Sequence, residues 1–114
     1  MALVEAGQIR IVLTTAAHRD EAERIARTLV EQRLAACVNL IEGVRSIYHW
    51  QGAVESSAEV LLVIKTSYEK LAALEIAIGQ LHSYSVPEFL VLSAEGGSKA
   101  YLAWIRRSLE EPGG

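Results

Sequence analysis

Glu59-Val60-Leu61-Leu62-Val63-Ile64-Lys65-Thr66 is the stretch that decides the fold. Its unbroken apolar run between polar ends predicts a strand covered on both faces. Upstream, Gln51-Gly52 supplies a turn, and before it Cys37 to Ile41 and Val44 to Trp50 form two strand-like runs. Gly43 between those runs can bend or bulge one long strand without ending it. Further upstream, Arg19 to Ala35 carries Ala22, Ile25, Ala26, Leu29, Val30 and Leu34 at three- and four-residue spacing, the stripe of an amphipathic helix. Asp20 and Glu21 suit its N-terminus, and Glu23 stands where a capping box would place it. Ile9 to Thr15, rich in β-branched residues, reads as a buried strand.

Downstream of the deciding strand, Leu71, Leu74, Ile78 and Leu81 mark a second helix over about Tyr68 to Leu81. Val86 to Ser93 is a further strand beginning beside Pro87, which donates no ladder hydrogen bond. Gly96-Gly97-Ser98 leads into a last helix, with Ser98 as N-cap and Tyr101, Leu102, Ile105 and Leu109 as its buried stripe. The order is β-α-β-β-α-β plus a C-terminal helix. This is the split βαβ arrangement of a ferredoxin-like α+β sandwich. One domain over residues 1–114, with a core from about 9 to 109, accounts for the whole chain, and only the ends, through Gly7 and from Glu110, read as loose.

The 114 residues are 51% hydrophobic and 22% charged, a globular balance. A formal net charge of -3 gives no field to gather phosphate backbones, which argues against nucleic acid as the main partner. The longest apolar stretches fall far short of the roughly 20 residues of a membrane-spanning helix. A single cysteine, Cys37, and no secretory leader pattern set the expectation of a reducing cytosol.

Chemistry concentrates in His82-Ser83-Tyr84-Ser85-Val86-Pro87-Glu88, at a helix-to-strand junction. Two readings stand. In one, His82 is a metal ligand or proton carrier, Tyr84 an aromatic wall and Glu88 an acceptor for a ligand. In the other, the segment is a structural turn in which His82 satisfies the last carbonyls of the helix. Cys37 reads first as a small buried hydrophobe. Lys65, at a strand end, either reaches solvent or a carboxylate such as Glu59 or Glu88, or faces an anion in a cleft. Trp50 and Trp104 fit equally a core or an interface between copies, where exposed strand edges invite pairing. No local zinc spacing, nucleophile elbow or glycine-rich phosphate loop occurs, so no catalytic motif is found.

Taken in order, Leu34-Ala35-Ala36-Cys37-Val38-Asn39, Tyr48-His49-Trp50-Gln51-Gly52, Ile64-Lys65-Thr66, His82 through Glu88 and Tyr101-Leu102-Ala103-Trp104-Ile105 resemble the CutA family of divalent-cation-tolerance proteins. The resemblance runs from about Ile9 to Leu109. It implies a ferredoxin-like subunit in a tight homotrimer, similar in architecture to the PII signalling proteins, with long second and third strands packed between subunits. It also implies a role in tolerance of copper or other divalent cations, with no required cofactor and no catalysed reaction. Under that reading His82 and Cys37 hold the metal, since imidazole and soft thiolate suit copper better than magnesium. The alternative is a PII-like trimer whose inter-subunit clefts, shaped by Trp50, Glu59, Lys65, Tyr84 and Glu88, take a small anion or a partner's segment. Ser83 and Ser85 depart from the family's usual proline and acidic or polar residue. Thr14 and Leu81 stand where some relatives carry a copper-associated cysteine and a second histidine, which argues against strong copper binding.

Overall fold

The computed structural model describes residues 2–110. Its main sheet has four strands in the order β3-β4-β2-β5, every neighbouring pair antiparallel. These are β2 (Ile9–Ala16), β3 (Cys37–Trp50), β4 (Ala53–Ser67) and β5 (Leu90–Ser93). Helices α1 (Arg19–Glu31) and α2 (Leu71–Leu81) follow β2 and β4. A two-stranded ribbon of β1 (Leu3–Glu5) with β6 (Gly96–Ser98) then leads into α3 (Lys99–Leu109). The expected ferredoxin-like α+β order is present, with the added helix at its end.

The deciding stretch lies in the interior strand β4, between β3 and β2. Side chains alternate across a strand, so Val60, Leu62 and Ile64 enter the helix-side core with Val12, Ile25, Leu29, Leu74 and Ile78. Leu61 and Val63, on the other face, stay half-buried in the single chain. The sequence predicts cover on both faces, and one chain supplies only one of them fully. A second cluster of Ala6, Ile9, Ala36, Leu102, Ile105 and Leu109 seats α3.

β3 and β4 form a hairpin much longer than the core. β3 is one strand of 14 residues with a register shift between Ile41 and Val44, where Gly43 sits at φ 78°. This is the bulge that Gly43 predicts. The tip is a two-residue turn with Gln51 at φ 50° and Gly52 at φ 83° closing the Trp50–Ala53 pair, the positive-φ geometry whose twist matches the strands. β4 starts at Ala53, six residues before the expected Glu59. Polar Glu55, Ser56 and Ser57 hide the strand because this part of the hairpin is wet on both faces in the single chain.

Other boundaries differ for local reasons. α1 stops at Glu31, not Ala35, because Arg33 turns left-handed at φ 59°. The amide of Leu34 then donates to the Leu29 carbonyl at 2.9 Å and that of Arg33 to Val30 at 3.1 Å, a Schellman closure with arginine where glycine is usual. Glu23 pairs with Arg27 at 3.6 Å, while Glu21 makes the reach back to the Ala17 amide that a capping box would assign to Glu23. β5 begins at Leu90, after Pro87, and a 3-10 turn (Tyr68–Lys70) precedes α2. Residues 3–5, expected loose, are a strand. Their partner lies more than ninety positions away, and a Cβ at Gly96 would meet the Val4 carbonyl oxygen at 2.7 Å. Ser98 caps α3 as expected, accepting from the Tyr101 amide at 3.2 Å. Of the expected stripe, Tyr101 is exposed and stacks on Trp104 at 5.7 Å. The expected loose end from Glu110 lies outside the described residues beyond that position.

Candidate functional site

The turn after α2 is stitched to three other elements. His82 is the C-cap of α2, its amide donating to the Ile78 carbonyl at 2.9 Å. Its ring, in a residue only 9% exposed, points back at β2, with Nε2 2.6 Å from the Thr15 carbonyl oxygen. A carbonyl only accepts, so Nε2 carries the proton. Nδ1 then accepts the Tyr84 amide at 3.0 Å. The neutral imidazole is thus fixed in one tautomer with both nitrogens engaged.

Tyr84 tilts against this ring at 4.6 Å between centroids, and its hydroxyl donates to Glu59 Oε2 of β4 at 2.8 Å. Burial and the Glu59 carboxylate push the phenol up to about 12, so it stays a neutral donor. On the other side, Glu21 of α1, 7% exposed, accepts the Ser83 amide at 3.0 Å and the Ala17 amide at 3.4 Å. Burial pushes its carboxyl up, but the Ser83 hydroxyl and amide and the Ala17 amide outweigh that and hold it below the usual range. Arg24 Nη2 closes the set by donating to the Leu81 carbonyl at 3.0 Å. Glu21, Ser83, His82, Tyr84 and Glu59 form one connected polar cluster. Hydrogen-bonded networks of this kind hold their members in a single arrangement.

The structure brings together three of the residues singled out in the sequence: His82, Tyr84 and Glu59. The others lie elsewhere. Cys37 is half-buried rather than buried, and it pairs in register with Lys65, which in turn faces Ile11. Four residues of β2 separate Ile11 from Thr15, the partner of His82. At about 3.3 Å per residue that is roughly 13 Å, too far for the two side chains to share a metal within one chain. Lys65 is six residues from Glu59 along β4, and its ammonium lies 5.9 Å from the Tyr101 ring centroid, a cation–π contact that is not among the solvent, carboxylate or anion readings of its sequence position. Trp50 is exposed at the hairpin tip and Glu88 on the connection into β5; Trp104 is on the surface too. Among the described residues no group of three His, Cys, Asp or Glu side chains is placed to hold a metal ion, and no helix is long and apolar enough to cross a membrane.

Glu21 is the member the sequence did not reveal as a site residue. Its position in the first turn of a helix is explained by the dipole alone, and the contact to Ser83 spans 62 positions.

Comparison with known proteins gives this architecture a family. The model for CutA1 divalent ion tolerance protein matches residues 10–108. The divalent-cation tolerance protein CutA of Thermus thermophilus is 43% identical over 98 residues, covering 86% of this chain and 95% of its own. The chloroplastic CutA of Arabidopsis thaliana is 40% identical over 98 residues, but the chain spans only 54% of that longer protein. CutA from Synechococcus elongatus superposes with a TM-score of 0.92 at 39% identity, over 96% of both chains. A second structure of that cyanobacterial protein, complexed with a Bis-Tris molecule, superposes at 0.87 over 94% of this chain and 99% of its own, at 37% identity. The fold, the family match and these relatives agree: the chain belongs to the CutA1 divalent ion tolerance family.

Proposed function

We propose that this chain works as a homotrimeric, PII-like member of the divalent-cation-tolerance family, and that the His82–Glu88 turn forms one wall of a small-ligand cleft between subunits. Tyr84 and Glu59 present the polar face of that wall, and a neighbouring hairpin, with Trp50 at its tip, brings the other. The observation that carries this reading is the apolar surface left uncovered on the strands. Ile47, Trp50 and Val54 on the hairpin are each exposed by 60% or more, and Leu90, Val91 and Leu92 are exposed along the edge strand β5. Exposed apolar strand edges pair with other chains, and a closed ring keeps such pairing finite. The Bis-Tris complex of the cyanobacterial relative supports a scaffold that accepts small polar molecules.

Copper, or another divalent cation, is the second reading, supported by the family's description and by the half-buried thiol of Cys37. In this reading His82 would have to release the Tyr84 amide from Nδ1 to bind metal, and Cys37 would have to come from another subunit. Light scattering on the purified protein, with copper titrations of wild type and His82→Ala, separates the two. The scaffold reading predicts a mass of three chains and copper binding that is weak and independent of His82. A single-chain mass overturns it, and micromolar copper binding abolished in His82→Ala favours the second. A cytosolic location is proposed with the trimer, and fractionation of cells expressing the tagged chain tests it.

A further inference from the structure

Among the described residues Glu21 is the only buried carboxylate, and its two oxygens are divided between two distant pieces of backbone. Oε1 accepts the amide of Ala17, in the loop between β2 and α1, at 3.4 Å. Oε2 accepts the amide of Ser83, in the turn after α2, at 3.0 Å. No backbone acceptor serves either amide among the described residues.

This division is a property of a carboxylate. Ionised, it is a pure acceptor with two equivalent oxygens. A carboxamide of the same shape has one acceptor oxygen, and its amino group would meet the second N–H donor to donor. Aspartate, one methylene shorter, would not reach as far. The charge is secure at neutral pH: burial pushes the carboxyl up, and the Ser83 and Ala17 donors outweigh it and hold the group below its usual range. Its place in the first turn of α1, at the positive end of the helix dipole, favours the same charge.

The consequence is geometric. His82 and Ser83 are consecutive, and so nearly are their anchors: His82 reaches the Thr15 carbonyl directly at 2.6 Å, and Ser83 reaches the Ala17 amide through Glu21. One attachment is a pivot about which the turn can rotate. Two attachments fix its rotation. Tyr84 comes next, and any rotation of its backbone is magnified at the far end of the phenol, whose hydroxyl meets Glu59 Oε2 at 2.8 Å. We infer that Glu21 is the positioning residue of this wall: its two-oxygen bridge fixes the rotation of the turn and thereby sets the Tyr84 hydroxyl on Glu59. The bridge lies within one chain, and its bearing on ligand binding rests on the proposed cleft between subunits.

The test is carbon-13 NMR of the tyrosine Cζ atoms at neutral pH on the assembled protein, with the Tyr84 signal assigned by Tyr84→Phe. Glu59→Ala measures how far loss of the hydrogen bond moves that signal. Glu21→Gln is expected to move it in the same direction, and Glu59→Ala made in that background to add less than about half of its effect in the wild type, the signature of coupled residues. Additive effects overturn the inference, because they are what Glu21 produces if it contributes only charge or stability. So does a Tyr84 signal that Glu21→Gln leaves unmoved. A second measurement needs no variant to fold: in the wild type, hydrogen exchange at the Ala17 and Ser83 amides is expected to be slower by roughly tenfold or more than at the exposed Ser85. Exchange as fast as that of Ser85 at either amide overturns the bridge. A single-chain mass in light scattering would overturn the cleft and leave the bridge untouched, so the two failures are told apart.

Discussion

His82→Ala is the substitution that weighs the support role of the imidazole most heavily. The ring satisfies two backbone groups at once, the Thr15 carbonyl at 2.6 Å and the Tyr84 amide at 3.0 Å. Thr15 is buried, so its carbonyl is left without water when the ring goes. An orphaned buried polar group costs about 1–3 kcal/mol, and the amide of the half-buried Tyr84 adds a smaller amount. Loss of the ring also removes its packing against the Tyr84 ring and leaves a void. A total of about 3 to 4 kcal/mol follows. In urea, with a denaturant slope of about 2 kcal/mol/M, the unfolding midpoint should fall by roughly 1.5 to 2 M at fixed protein concentration. His82→Gln should recover part of this, because its carboxamide can still donate to Thr15. A loss below about 0.5 kcal/mol, the size expected at an unconstrained surface position, would mean that the ring does not support these two backbone groups.

Further predictions follow from the same geometry. The Glu21 carboxyl is held below its usual range, so its contribution to stability is present above about pH 4.5, the unfolded value, and is lost as pH falls through the lower folded value. Acid unfolding followed by circular dichroism should therefore show a shallower stability loss below that pH in Glu21→Gln, from a lower plateau at neutral pH. The Thr14 hydroxyl is fully buried on the helix side of the sheet without a partner, so Thr14→Val should be neutral or stabilising by about 1 kcal/mol in urea unfolding. Gln51 holds a left-handed backbone at φ 50°, and Gln51→Gly should leave the hairpin register unchanged in amide NMR without destabilising the protein by more than about 0.5 kcal/mol.

Much of this fold was legible because its signals are local. The apolar run at Val60 to Ile64, the helical stripe from Ala22 to Leu29, the bulge glycine at 43 and the cap at Ser98 each declare themselves within a few residues. What stayed hidden depends on distant partners or on arginine standing in for glycine. β1 exists because Gly96 lets residues 96–98 approach it closely, and α1 stops at Arg33 with no glycine to announce it. The site divides in the same way. The density of polar groups from His82 to Glu88 marked the right turn, and the bonds from His82 to Thr15, Tyr84 to Glu59 and Ser83 to Glu21 show how it is held. Sequence spacing could not separate Lys65 and Cys37 from this cluster, because distance along a strand becomes visible only once register is known.

Both nitrogens of His82 are committed within the fold, which makes the imidazole a support for Tyr84. Nitrogen-15 NMR of the histidine rings, recorded with and without zinc as a diamagnetic divalent probe, tests it directly. The expected spectrum has a neutral His82 with the proton on Nε2, and ring signals that zinc leaves unmoved. A proton on Nδ1, or a zinc-induced shift of the His82 nitrogens at stoichiometric metal, would contradict it.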